Sequence, residues 1–416
     1  MTKGLKGYLQ EIWDSRNKYS PTDDERLSEE EETTFEKNKQ LFLAFDGNFI
    51  RARNYVGFIQ YKGLRINIYP KICNDSDTPA NTIHHILYWL IYSERIKFPF
   101  SQLPLDKQNF DNWIEALIYL YAHYTEETLS NQPYQSYQEI KEETSFLRGR
   151  LAMSEYINDN LLKARPQYFQ CIYEPFLLDN QFNRIVKYVT RKLLSVSTHE
   201  INRDKLANLL FLLDEVSDCH CMAADCDLVK LNPLYSDLNT ILSMSRLFLE
   251  STSINQNDSP DTNFCLLLPM EVIFEDFIFG YIQKHFSGST PIPQKGIYLT
   301  KEKVFKMKTD IVLKNPSLII DTKYKIRGIT NNPKKGIAQT DMYQMLAYSF
   351  RKGISDVLLI YPTRTEINES NFTIINPDWS EQQIRIKAID INIYSEDNPK
   401  KIEDELKMHL ADFIVY

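Results

Sequence analysis

Two carboxylates and an amine close to one apolar run are the residues best placed to do chemistry. In the stretch from Phe305 to Lys325, FKMKTDIVLKNPSLIIDTKYK, Asp310 lies on a strand-like segment and Asn315-Pro316 predicts a tight turn. Leu318-Ile319-Ile320 then runs straight into Asp321-Thr322-Lys323. Pairing the two segments as a hairpin brings Asp310 and Asp321 to neighbouring places at the edge of the sheet. The two-residue side-chain period of a strand puts Asp321 and Lys323 on one face. Carboxylates that close repel, so keeping both ionised requires a cation, either a protein amine or a divalent metal. Two acids with a lysine beside them suit holding Mg2+ or Mn2+ and an attacking water against a phosphodiester, which is hydrolytic chemistry.

A bare D-x-K is common at exposed strand ends, so the elements around it carry much of the argument. Here the approach is Leu318-Ile319-Ile320, the pattern of a buried strand that delivers charge to its exit, and buried charge needs a reason. Upstream, Leu266 to His285 predicts a helix with Met270, Ile273, Phe274, Phe277, Ile278 and Tyr281 on an apolar stripe. Downstream, after the loop Asn331-Asn332-Pro333-Lys334-Lys335-Gly336, Gln339 to Phe350 predicts a second helix. Gln344 and Tyr348 stand four apart on one face of it. Lys301, Lys303, Lys306, Lys308, Lys314, Lys323, Lys325, Arg327, Lys334 and Lys335 gather around the same region. The net charge of −8 excludes a protein coated in positive potential, but local basic density is what a polyanion needs, and these side chains are read as phosphate contacts.

The rest of the chain reads as an α+β or α/β multidomain protein. Its 416 residues, 43% hydrophobic and 25% charged, suffice for two or three folded domains. Three are expected: 1–145, a β-rich domain with helices; 146–255, a helical middle region; and 256–416, carrying the site. Leu5, Tyr8, Leu9, Ile12 and Trp13 form a short amphipathic pattern, and an acidic excursion follows from Tyr19 to Asn38. Leu41 to Ile72 alternates in short segments broken by Asp46-Gly47-Asn48 and Lys62-Gly63, a β-meander signature. Thr82 to Ser93 and Trp113 to Leu129 predict apolar helices, in which Tyr88, Trp89, Trp113 and Tyr119 read as core. Glu139 to Ser145 reads as a polar boundary, Tyr168 to Tyr173 as extended, and Asp179-Asn180 as the cap of a long helix. Six cysteines, unevenly spaced, do not form a disulfide framework. Cys219, Cys221 and Cys226 match no standard zinc spacing. No apolar run is long enough to span a bilayer and no signal peptide opens the chain, so the expected location is cytoplasmic.

The hairpin with Asp310, Asp321 and Lys323 resembles the core of the PD-(D/E)xK nuclease superfamily, with Thr309 where proline is usual. That resemblance implies a glutamate from the preceding helix on the metal, at Glu275 with Glu271 as the fallback, and the backbone carbonyl of Thr322 as a further ligand. Gln344 and Tyr348 resemble the Q-x-x-x-Y element of RecB-like nucleases, implying contact with DNA or ordering of the site. Further stretches narrow the resemblance to the McrC family, the nuclease subunit of McrBC-type modification-dependent restriction systems. They are Tyr55-Val56-Gly57, the run Gly63 to Ile72, Leu147-Arg148-Gly149-Arg150-Leu151, Glu174 with Asp179 to Asn183, Met270 to Glu275, and Asp341 to Tyr348. The implied partners are double-stranded DNA and an McrB-like AAA+ GTPase hexamer, into which the N-terminal half would dock and whose hydrolysis this chain would stimulate. The residues agree on one point independently: no G-x-x-x-x-G-K-[ST] occurs, so no nucleotide is expected on this chain. Two other readings stay open, a stand-alone RecB-like or repair nuclease and an adaptor or GTPase activator whose site is spent.

Overall fold

The computed structural model describes residues 4–10, 43–46, 49–52, 54–61, 64–74, 76–93, 99, 110, 112–231, 236–251, 264–286, 288, 291–293, 296–303, 305–328, 333–364, 368–374, 383–395 and 401–414. Ile12, Trp13, the acidic run 19–38 and Asn331-Asn332 lie outside them. The chain forms two compact units, one of 1–114 together with 263–416 and the other of 115–262. This differs from the expected partition at 145 and 255, because the N-terminal strands and the site-bearing segment share one unit.

In that first unit β1 (Leu43–Asp46) pairs with β2 (Phe49–Ala52), and β3 (Tyr55–Tyr61) pairs with β4 (Leu64–Ile68). The predicted meander is therefore two separate hairpins. The second is completed by a strand more than two hundred residues away, β10 (Phe264–Pro269), which lies antiparallel on β3. Leu266 to Pro269, expected as the start of a helix, belongs to this strand, and the helix begins at Met270. An apolar run too short to show a period fits strand and helix alike, and distant pairing decides between them. Gly57 makes the pairing possible. Its φ is +132°, and a Cβ there would lie 2.0 Å from the carbonyl oxygen of Leu266. Leu5, Tyr8 and Leu9 of the short N-terminal helix close this sheet's core with Ile59, Ile68, Cys265 and Leu267.

The second unit holds the helices Gln181–Val196, Glu200–Leu212 and Ser236–Ser251. Asn180 caps the first by accepting from the Asn183 amide, as its sequence predicts. The buried Glu115 carboxylate fixes the turn between the first two, accepting from Ser197, Thr198 and Asn202. The unit is not purely helical. β5 (Ser136–Tyr137) pairs with β9 (Phe176–Leu177). β6 (Ile140–Thr144), read from sequence as a polar boundary, pairs with β8 (Phe169–Tyr173), which also pairs with β7 (Arg150–Leu151). The charged residues of β6 satisfy partners instead of marking a break: Glu143 accepts from Arg165 at 2.6 Å and from Asn160 at 2.8 Å.

The site is carried by a six-stranded mixed sheet of the first unit, in the order β11 (Pro291–Pro293), β14 (Ile311–Leu313), β15 (Leu318–Thr322), β16 (Asp356–Thr363), β18 (Arg385–Asn392), β17 (Glu369–Thr373). β15, β16 and β18 run parallel, and β14 returns antiparallel to β15. Every residue of β15 is buried, and all but the first of β16, the mark of strands covered on both faces. One face packs Ile319, Val357, Leu359 and Ile386 against Met345 and Tyr348 of the helix Gln339–Lys352. The helix Met270–His285 also packs against β15 and β11. The segment 72–85 is tied to this sheet: Arg364, just beyond β16, pairs with Asp77 and lies 4.2 Å from the Tyr394 ring, which stacks on His85.

Candidate active site

The expected hairpin forms, with its turn at 314–317 between β14 and β15. Ile311 stands opposite Ile320, so the next pair outward places Asp310 opposite Asp321 on one face. The strand carrying Asp310 is not continuous, however. β13 (Lys306–Lys308) pairs with β12 (Gly296–Tyr298), the chain bends at Asp310, and only then enters β14. That bend lets Asp310 reach across: its Oδ2 accepts from the Thr322 amide at 2.8 Å and from Thr322 Oγ1 at 3.0 Å.

Asp321 lies at the carboxyl end of β15 and is 1% exposed. Strand alternation puts it on the face of Ile319, toward the helix Gln339–Lys352. Neither of its oxygens accepts a hydrogen bond of good geometry, yet Lys323 Nζ stands 2.7 Å from Oδ2. The two observations are compatible, because the ammonium supplies charge at short range without an aligned N–H. Burial pushes the Asp321 carboxyl well above its ordinary range, and the neighbouring charge of Asp310 pushes the same way, against Lys323. Burial alone would lower the Lys323 amine, but Asp321, Asp310 and Asp341 outweigh it and hold the amine above its ordinary value.

Helix and hairpin are joined by a chain of hydrogen bonds. Lys323 Nζ donates to Gln344 Oε1 at 3.0 Å, Gln344 Nε2 donates to the Tyr348 hydroxyl at 2.6 Å, and that hydroxyl donates to the Lys308 carbonyl at 2.6 Å. Tyr348 is 3% exposed, packed under the helix and not presented at the surface. The pair Gln344 and Tyr348, four residues apart, thus orients Lys323 at one end and fixes the β13 strand, two residues before Asp310, at the other.

Other expected residues are placed differently. Glu275 is half-buried on the helix Met270–His285, but no group of three or more His, Cys, Asp or Glu able to hold one metal ion exists among the described residues. Glu275 therefore does not complete a preformed set with Asp310 and Asp321. Glu271, the fallback, accepts from Asn54 Nδ2 at 2.5 Å. Cys219 and Cys221 bring their sulfurs to 3.2 Å and Cys226 is buried, all three as free thiols.

Among the basic side chains, Lys301, Lys303, Lys306, Lys308, Lys314, Lys325, Lys334 and Lys335 are exposed. Arg327 is not. Its guanidinium is buried against Asp390, donating through Nε at 2.9 Å, and reaches Ser370 and the Asn368 carbonyl. It anchors the segment leaving β15 and is no phosphate contact. A residue to which the sequence assigned no role stands near Lys325: Asp341, 6% exposed at the start of the helix Gln339–Lys352, is 3.4 Å from Lys325 Nζ. In sequence it is an ordinary helix-start acid, favoured there by the helix dipole.

The donor set fits a divalent cation. Two hard carboxylates lie at the end of the hairpin, and one of them, 1% exposed, has only the Lys323 ammonium at 2.7 Å set against its charge among the ion pairs of the described residues. Mg2+ is held in many phosphate-processing sites by one or two carboxylates, its remaining positions going to water and substrate, so a third protein acid is not required.

A family model described as McrBC 5-methylcytosine restriction system component matches residues 50–362. No curated protein matches this chain. Among solved structures, it is similar to a chain of the refined half-complex from the tetradecameric assembly of Thermococcus gammatolerans McrB AAA+ hexamers with bound McrC. Identity there is 20%, over 98% of this chain and 95% of that one, with a TM-score of 0.70. A chain of the Thermococcus gammatolerans McrBC complex is similar at 22% identity, over 68% of this chain and 80% of that one, with a TM-score of 0.50. These likenesses carry the fold, and the family match spans most of the sequence and includes the hairpin, Gln344 and Tyr348. The chain belongs to the McrBC 5-methylcytosine restriction system component family.

Proposed function

We propose that this chain is a metal-dependent DNA endonuclease subunit of PD-(D/E)xK type, active when assembled with a GTP-hydrolysing AAA+ partner whose turnover it stimulates. The observation that carries the reading is the buried Asp321 carboxylate. It is 1% exposed, the neighbouring charge of Asp310 acts on it, and the Lys323 amine stands 2.7 Å away. A charge buried at that cost is kept where a cation and a substrate complete it.

Asp310 and Asp321 would hold Mg2+ or Mn2+, and the Thr322 carbonyl and, after a change of place, Glu275 are the further ligands that the family resemblance implies. The ion, when bound, polarises the scissile phosphate and makes a bound water more acidic. Asp310 is kept aimed at the site by the Thr322 amide and hydroxyl. Lys323, oriented by Gln344, places its amine where it can direct the attacking water and offset the negative charge developing on the phosphate. The exposed lysines around the hairpin position the DNA backbone without reading sequence.

A partner is supported by the Thermococcus gammatolerans assembly, in which McrB AAA+ hexamers carry bound McrC. In the second unit of this chain Phe146 and Leu147 are 61% and 62% exposed in the turn between β6 and β7, and Leu162, just after the helical turn Tyr156–Leu161 that packs on β8, is 75% exposed. Apolar side chains concentrated on one small module are what a docking surface presents. Mixing the purified chain with DNA, Mg2+ and GTP, with and without the McrB-like subunit, tests the proposal. Cleavage only with the subunit present supports it. Robust cutting by the chain alone would favour a stand-alone nuclease, and no cutting in either mixture would favour a spent adaptor.

A further inference from the structure

The segment that leaves β15 is held more tightly than a surface loop needs to be. The Lys323 amide continues the ladder by donating to the Ile360 carbonyl at 2.9 Å, and the Lys325 amide donates back to the Lys323 carbonyl at 2.7 Å. Two residues on, the buried Arg327 is clamped to Asp390. Between these anchors the Lys325 backbone has little freedom, and its amine is drawn toward Asp341 at 3.4 Å. The partners differ sharply in burial: the Asp341 side chain is 9% exposed and that of Lys325 59%. An ion pair with so exposed a member adds little to stability. What the contact does is choose one direction for a long, rotamer-rich side chain that leaves the backbone two residues after Lys323.

We propose that Asp341 is a positioning residue that presents the Lys325 ammonium to a DNA phosphate neighbouring the one being cut. This rests on the nuclease reading of the site and adds the residue that orients the substrate backbone. Asp341 touches neither DNA nor the reacting atoms. It acts through Lys325, and pre-orienting that amine removes part of the ordering cost a free lysine would meet on binding.

The experiment measures binding of a fluorescently labelled duplex of about 30 base pairs, long enough to offer some 60 phosphates at one charge per ~1.7 Å, by the full chain assembled with its McrB-like subunit and GTP, without divalent metal, across a salt series. Metal-dependent cutting is followed in parallel. Lys325→Ala should weaken binding severalfold and reduce the slope of log affinity against log salt by about 0.9, the loss of one phosphate contact. Lys325→Arg should restore the slope. Asp341→Asn should weaken binding in the wild-type background and have no further effect once Lys325 is alanine, the non-additivity of residues that act as a pair. An unchanged slope in Lys325→Ala overturns the inference, as does an Asp341→Asn effect of equal size in both backgrounds. Should Asp341→Asn fail to fold, Asp341→Glu, which keeps the charge and displaces it by one methylene, takes its place in both backgrounds and is held to the same two outcomes. A wild-type assembly that cuts DNA while the variants behave as wild type overturns this inference and spares the nuclease reading. One that neither binds nor cuts DNA overturns both.

Discussion

Lowering the pH below 6.5 should loosen the first unit through His85. This imidazole is fully buried, stacked 4.2 Å from the Tyr394 ring, with Nε2 accepting from the Ser395 amide at 3.0 Å and Nδ1 placed 2.9 Å from the Asn81 carbonyl. An Nε2 that accepts and an Nδ1 that donates define one neutral tautomer. Burial depresses its pKa from 6.5 to about 4, with His84 and Arg364 pushing the same way and the Asn81 carbonyl and Asp77 opposing. A depressed histidine stabilises the fold fully above pH 6.5, and the contribution drains away as pH falls toward 4, because the unfolded chain takes up the proton first. Between about pH 7.5 and pH 4.5 the loss works out at about 2.5 kcal/mol, a sizeable share of the roughly 5–15 kcal/mol that holds a domain folded. Urea unfolding at the two pH values, read by hydrogen exchange of the helix Pro79–Leu90, measures it. His85→Phe keeps a ring on Tyr394 and cannot titrate, so its stability gap to wild type should shrink by about 2.5 kcal/mol at the lower pH. A gap that stays constant would refute the reasoning, and so would an imidazole resonance titrating near 6.5 in the folded protein.

Three other outcomes are expected. Mg2+ should raise the Tm of the wild-type chain by several degrees, since a ligand at about 100 times its Kd adds about 2.7 kcal/mol, and should leave Asp321→Asn unmoved; equal shifts in both would place the ion elsewhere. Tyr348→Phe orphans Gln344 Nε2 and the Lys308 carbonyl, about 1–3 kcal/mol of lost or unmet hydrogen bonding, and should lower kcat of DNA cleavage roughly 5- to 100-fold with little change in KM; a rise in KM alone would make Tyr348 a substrate contact instead. Gly57→Ala should unseat β10 from β3, lowering Tm and weakening exchange protection at Phe264–Pro269, whereas an unchanged Tm would show that the backbone there can adjust.

How far this architecture could be read in advance depended on the range of the interactions. The hairpin of Asp310 and Asp321 was legible because turn and apolar run lie within a few residues of one another. Gln344 and Tyr348 were legible as a helical pair, and in the structure they link Lys323 to the Lys308 carbonyl. The cap of the long helix was equally local, resting on Asn180 and the amide three residues on. Pairing of β10 with β3 joins residues more than two hundred apart, and no local pattern marks it. Arg327 looked like one more basic residue near a site, yet its partner Asp390 is sixty-three residues downstream and makes it an anchor. Asp341 was hidden for the opposite reason: its position at a helix start already explains an acid there, so its approach to Lys325 showed only once the helix was docked. The glutamate expected from the upstream helix came from family likeness, and Glu275 is not gathered with the two aspartates into a three-acid group.

The central claim is that Asp310, Asp321 and Lys323 together cut DNA. Asp310→Ala and Lys323→Ala, prepared free of contaminating nuclease and assembled with the McrB-like subunit, Mg2+ and GTP, test it by the rate at which a DNA substrate is cleaved. Cleavage should fall to the level of a mixture lacking this chain, while co-purification with the subunit is retained. Cutting at the wild-type rate by either variant would contradict the assignment of the site.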